Sequence, residues 1–89
     1  MKFNLQLFAE RDLANQTSNQ LRKGIRSFKK RIEEHWAKIE NPAKYCDDWN
    51  SYDNEHREGL IWHWQHEIRN FTRCIDDRID ELKKRGEQP

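Results

Sequence analysis

Apolar residues are scarce in this sequence. They fill 34 % of its 89 positions, below the roughly 45–50 % of an ordinary globular chain. The charged share is high in return, at 37 %, against about 25 % usually. Chains this poor in apolar surface often stay unfolded. A single domain of this length buries only roughly 60–65 % of its unfolded surface in any case. No uninterrupted apolar run approaches the ~20 residues that span a bilayer. The opening MKFNLQLFAE imitates a signal peptide, but Asn4 and Gln6 break an apolar stretch that is already short, so no leader is expected. Cysteine is rare. Cys46 and Cys74 lie far apart with no CxxC pair, which argues against a disulfide framework and for a reducing, intracellular setting. Gly-rich phosphate loops, nucleophile motifs and His-Glu-x-x-His are missing as well. A net charge of +1 excludes a protein that binds polyanions over its whole surface.

What is present is regular spacing. Leu21, Ile25, Phe28, Ile32, Trp36 and Ile39 recur every three or four residues, the mark of an amphipathic helix. Thr17 and Ser18 suit its N-cap, and Gln20 stands three after Thr17, as a capping box requires. Gly24 weakens this helix by about 1 kcal/mol relative to alanine. Asn41-Pro42 ends it, because a residue before proline is pushed out of the α region. A second stripe, Leu60 or Ile61, Trp64, Ile68, Phe71, Ile75, Ile79 and Leu82, predicts a longer helix. Ser51 or Asp53 serves as its cap, and Gly86 suits its end. Asp80/Lys84 and Glu81/Arg85 are acid-to-base pairs in the stabilising i,i+4 order.

These stripes predict an all-α chain: a long antiparallel two-helix hairpin, coiled-coil-like, preceded by an N-terminal arm. Residues 1–16 form the arm and 17–86 the hairpin, with a helix over 18–40, a loop over 41–51 and a helix over 52–85. Residues 87–89 are a tail. Phe3, Leu5 and Leu7 alternate with polar residues like a strand, but nothing else in the chain offers a strand partner. The second helix overshoots the first. Its surplus must meet the arm, the loop or another chain, and apolar seams on both helices make a homodimer one of the options.

Four groups of residues invite a functional reading. His56, His63 and His66 gather near Glu67, with Cys46 in the loop, but no metal-ligand spacing joins them. Plain surface histidines are the preferred reading, with no metal and no cofactor. Asp47, Asp48, Glu67, Asp76 and Asp77 are candidate acids or bases only if a pocket shifts them, and two helices enclose none. We therefore expect no enzyme. Arg22, Lys23, Arg26, Lys29 and Lys30 make the first helix basic. Residues 18–40 hold seven Lys/Arg against three acids, a net of +4, while 41–60 hold two against five, a net of −3. Such a stripe suits nucleic acid or an acidic protein surface, although a solvated face is the plainer explanation. Tyr45 and Trp49 are expected to fold over the hairpin end like a lid and, with Trp62, to offer apolar anchors to a protein partner. Trp62 lies two residues from Trp64 and so points elsewhere, either covered locally or exposed as an anchor for a partner. Phe3, Leu5, Leu7 and Phe8 are the apolar anchors of the arm.

The run Phe3-Asn4-Leu5-Gln6-Leu7-Phe8-Ala9-Glu10 resembles the start shared by head-morphogenesis and structural proteins of tailed phages of Gram-positive bacteria. The resemblance covers those eight positions and heads proteins of different folds; the remainder does not resemble a capsid subunit. It implies a phage- or prophage-encoded accessory protein, found in the bacterial host cytoplasm or the virion. Small helical proteins of that origin fall into virion or assembly factors and inhibitors of host defence, such as anti-CRISPR proteins. The expected partner is accordingly a phage structural protein or a host defence nuclease.

Overall fold

The computed structural model describes residues 13–89. The described chain holds two long helices, α1 (Ser18–Glu40) and α3 (Asn54–Lys84), joined by a short helix α2 (Pro42–Tyr45) and a 3-10 turn at Trp49–Ser51. The helices pack lengthwise and antiparallel as a hairpin, and no strand occurs among the described residues. The radius of gyration is 16.4 Å, against ~12 Å for a compact chain of this length. The hairpin is slender.

Local chemistry sets the helix limits. The Thr17 hydroxyl accepts the Gln20 N–H at 3.1 Å, and the Gln20 side-chain oxygen accepts the Thr17 N–H at 2.8 Å. This reciprocal box satisfies two donors that a helix start leaves bare. Pro42 then opens α2 as α1 closes at Asn41. Asp53 caps α3, accepting the His56 N–H at 2.8 Å. Gly86, at φ 73°, ends it: the Glu87 N–H reaches the Leu82 carbonyl and the Gly86 N–H the Lys83 carbonyl, both at 2.9 Å. That is a Schellman closure, which needs the left-handed conformation glycine adopts without steric cost. Of the two acid–base pairs expected on α3, Glu81 and Arg85 meet at 3.2 Å. Asp80 and Lys84 instead border a hollow beside Leu13.

The core lies where the start of α1 meets the end of α3. Leu13, Leu21, Ile25, Ile75 and Leu82 are buried together, with Phe28, Ile32 and Ile79 packed against them. Leu21 and Leu82 are fully buried, each contributing about 1.5–3 kcal/mol. Arg85 ties this end: it donates to the Leu13 carbonyl at 3.0 Å and the Ser18 hydroxyl at 3.3 Å. The tail expected over 87–89 folds back as well. Glu87 accepts from the Ser18 hydroxyl, and Arg22 donates to the Gln88 carbonyl at 3.0 Å. The seam of α1 and α3 thus closes within one chain.

At 1.5 Å per residue, the 23 residues of α1 and 31 of α3 span ~34 and ~46 Å. Because the start of α1 is flush with the end of α3, the surplus of α3 lies at the connection. The connection covers it. Trp49 stacks on Trp64 with ring centroids 6.2 Å apart, and Arg57 donates to the Trp49 and Asn50 carbonyls at 2.9 Å each while lying over the Trp49 ring.

Two positions depart from the stripes read in the sequence. Trp36, expected in the seam, is 48 % exposed, and His35 is buried in its place. Gly24 is not merely a weak point of α1. A methyl group there would stand 2.8 Å from Arg78 Nε. The missing side chain lets the Arg78 guanidinium lie against α1, 4.8 Å from the centre of the Phe28 ring, with one N–H on the Cys74 carbonyl at 2.9 Å.

Candidate partner-binding face

The four tryptophans divide into an inner and an outer pair. Trp64 is buried and carries the stacked, half-buried Trp49. Trp49 therefore acts as a lid, as the sequence suggested. Trp62 is 62 % exposed and Trp36 48 %. Trp36 lines a shallow hollow of about 210 Å³ with Gln65, Ile68 and Arg69. Trp62, Gln65 and Arg69 are spaced i, i+3, i+7, which places them in one row of α3. Trp36 of α1 thus lies against the amide and guanidinium of an α3 row that also carries Trp62. His66 stacks on Trp62 at 5.1 Å and 7° between planes, stiffening the exposed indole.

Tyr45, 47 % exposed, does not join this row. It borders a separate hollow with Lys30, Glu33, Glu34, Ala37 and Lys38, residues of α1 alone. The arm anchors Phe3, Leu5, Leu7 and Phe8 lie outside the described residues. Trp36 was missed as an anchor because its spacing also fits an apolar stripe. A stricter alternation held the signal: Leu21, Ile25, Phe28, Ile32, His35 and Ile39 step 4, 3, 4, 3, 4, leaving Trp36 one position off the seam.

The basic stripe divides too. Arg22 is committed to the tail through the Gln88 carbonyl and a 4.0 Å approach to Glu87. Lys23, Arg26, Lys29 and Lys30 are exposed. No ion pair among the described residues engages any of those four. Lys29 and Lys30 leave the neighbouring Glu33 and Glu34 unpaired, so the stripe is less neutralised than its i,i+4 spacing suggested.

The histidines do not converge on a metal. No group of three or more His, Cys, Asp or Glu among the described residues is placed to hold an ion. His56 stacks on Tyr52 at 4.0 Å, and His66 turns to Trp62. Both cysteines are free thiols. The polar centre that does form was not foreseen, because it joins residues 32 positions apart. His35 Nε2 meets one oxygen of Glu67, whose other oxygen meets His63 Nε2 at 2.7 Å. His35 Nδ1 lies 2.8 Å from the Arg31 carbonyl, and the edge of its ring meets Phe71 at 5.1 Å. The hydrogen bond from His35 holds the Glu67 carboxyl below its ordinary value; partial burial opposes this, and His63 adds to the lowering.

Among the described residues, no helix is long and apolar enough to cross a membrane. No protein-family model matches this chain, and no curated protein or solved structure shows significant similarity to it.

Proposed function

We propose that this chain is a non-enzymatic accessory protein of phage or prophage origin that works by docking the Trp36–Trp62 edge of its hairpin onto a protein partner. One observation carries the reading: a tryptophan stands exposed on each helix, Trp36 lying against Gln65 and Arg69, and Trp62 standing in the same α3 row as those two. Aromatic side chains left in water cost a chain with so few apolar residues part of its own stability. Tryptophan and arginine at the centre of a contact are also the side chains that dominate binding energy. The hollows along the described surface are shallow and open, which suits a flat protein contact better than a small substrate. The opening run at residues 3–10 supports a role in virion assembly within this class.

The exposed, unpaired Lys23, Arg26, Lys29 and Lys30 favour a second reading. In it, the protein is an inhibitor that blocks a nucleic-acid-handling host nuclease through α1. The two separate in one experiment. Full-length protein is used to capture partners from infected host lysate, the captured protein is identified by mass spectrometry, and its affinity is measured from 50 to 500 mM NaCl. On the leading reading, Trp36→Ala and Trp62→Ala each weaken that partner by ~30-fold or more, equivalent to about 2 kcal/mol, with helix content unchanged and little dependence on salt. Unchanged affinity in the double alanine variant refutes it. Loss on changing Lys23, Arg26 and Lys30 to alanine, with a steep fall in salt, selects the second reading.

A further inference from the structure

We propose that the contact joining His35, Glu67 and His63 is a proton-operated clasp that sets how the Trp36–Trp62 edge is presented. The role assigned to the clasp rests on the docking reading above; its chemistry does not.

His35 is buried, 9 % exposed, at a seam position between Ile32 and Ile39. Both of its ring nitrogens face oxygen: Nδ1 the Arg31 carbonyl and Nε2 the Glu67 carboxyl group. A backbone carbonyl only accepts, and so does an ionised carboxylate. A neutral imidazole has a single N–H and cannot serve both. The contact closes in either of two ways, as imidazolium against carboxylate or as neutral ring against a protonated Glu67. In both, the pair shares one proton beyond those of a neutral ring and a carboxylate. Remove it and one nitrogen of the buried ring becomes a lone pair facing an oxygen, the Glu67 carboxylate or the Arg31 carbonyl according to the tautomer, and an unmade hydrogen bond there is costly. The charged groups set against His35 are Arg31 on its own helix and, from α3, Glu67 with His63 behind it. The Arg31 guanidinium is drawn over Phe28 and Phe71, at 5.8 and 5.9 Å from their ring centres.

Clasp and docking edge share the same helical turns. Trp36 follows His35 on α1; Trp62 precedes His63, and His66 precedes Glu67, on α3. The helical wheel puts His35 and Glu67 on one flank of the apolar seam, Trp36 on the other and Trp62 on the outer face of α3. A change in helix separation at the clasp therefore alters the distance between the two indoles. The main core lies at the opposite end of the hairpin, around Leu21 and Leu82, so at this end the clasp holds the helices together with buried Ile68 and the Trp64–Trp49 stack. A histidine is the side chain suited to such control near physiological pH.

The test is solution NMR of the full chain over a pH series, reading the His35 ring nitrogens and the Trp36 and Trp62 indole N–H groups. A neutral gadolinium chelate reports the solvent exposure of each indole. The expected result is a single step: the indoles shift and change exposure at the pH where His35 loses its second ring proton. In Glu67→Gln and in His35→Phe the indoles no longer show that step. Indoles that stay constant while His35 titrates, or that move at a different pH, overturn the proposal. So does a His35 ring with one N–H while Glu67 is ionised and the helices are closed. Should either variant fail to fold, the coincidence of the two titrations in the wild-type chain decides. Failure of the docking reading is separate: partner capture would survive Trp36→Ala while the NMR step persisted.

Discussion

Gly24→Ala offers the sharpest test of how the two helices meet, because its sign depends on a residue 54 positions away. In an isolated helix the change is favourable by about 1 kcal/mol. Here the new methyl group would stand 2.8 Å from Arg78 Nε and 3.2 Å from its Cδ. The guanidinium has to leave Phe28, a partly desolvated cation–π contact worth ~1–2 kcal/mol, and strain its bond to the Cys74 carbonyl, worth ~1 kcal/mol. Partial relaxation of a flexible side chain recovers some of this, so the net result is a loss of about 1 kcal/mol. In an Arg78→Ala background the obstacle is gone, and the same substitution should stabilise by ~1 kcal/mol. The double-mutant cycle therefore carries a coupling of about 2 kcal/mol. Urea denaturation followed by circular dichroism measures all four corners. For a chain of this size each kcal/mol also moves Tm by roughly 4–8 °C, so the four melting temperatures provide a second reading. Equal stabilisation by Gly24→Ala in both backgrounds would refute the packing of Arg78 across Gly24.

Two further outcomes follow from the contacts described. Leu82→Ala removes a fully buried side chain from the strongest part of the core and should cost about 3 kcal/mol, seen as a fall in Tm of roughly 15 °C. The folded Glu67 carboxyl titrates below its ordinary value of 4.5. Its stabilising share is complete above that value and drains away as pH falls through the lower folded one. The acid limb of stability should thus flatten in Glu67→Gln, measured as urea midpoints between pH 2 and 7; an unchanged limb would contradict the pairing with His35.

Much of the hairpin was legible because its determinants are local. Thr17 with Gln20, Pro42 after Asn41, and Asp53 before α3 act over three or four residues, so their positions alone set where helices begin and end. The same holds for Gly86, whose lack of a Cβ is a property of the residue and not of its neighbours. α3 nevertheless begins at Asn54, two residues later than the expected 52, and the expected loop holds α2 and a 3-10 turn. Those pieces follow the connection back over the surplus of α3, which no short window of sequence describes.

What the spacing left open, the partner helix decided. An apolar stripe repeating every 3.6 residues drifts by ~20° per heptad, so both His35 and Trp36 lie within reach of the seam. Glu67 on α3 accepts from His35 and nothing comparable meets Trp36, so the histidine turns inward and the tryptophan outward. Arg78 likewise sits on the strict alternation Ile68, Phe71, Ile75, Arg78, Leu82, and only a glycine on α1 allows it there. Sequence alone determined that two amphipathic helices form and where they stop, because capping and periodicity are short-range. The face they show to a partner was set by pairings across the hairpin, since burying a polar side chain is tolerated only where a second helix supplies its complement.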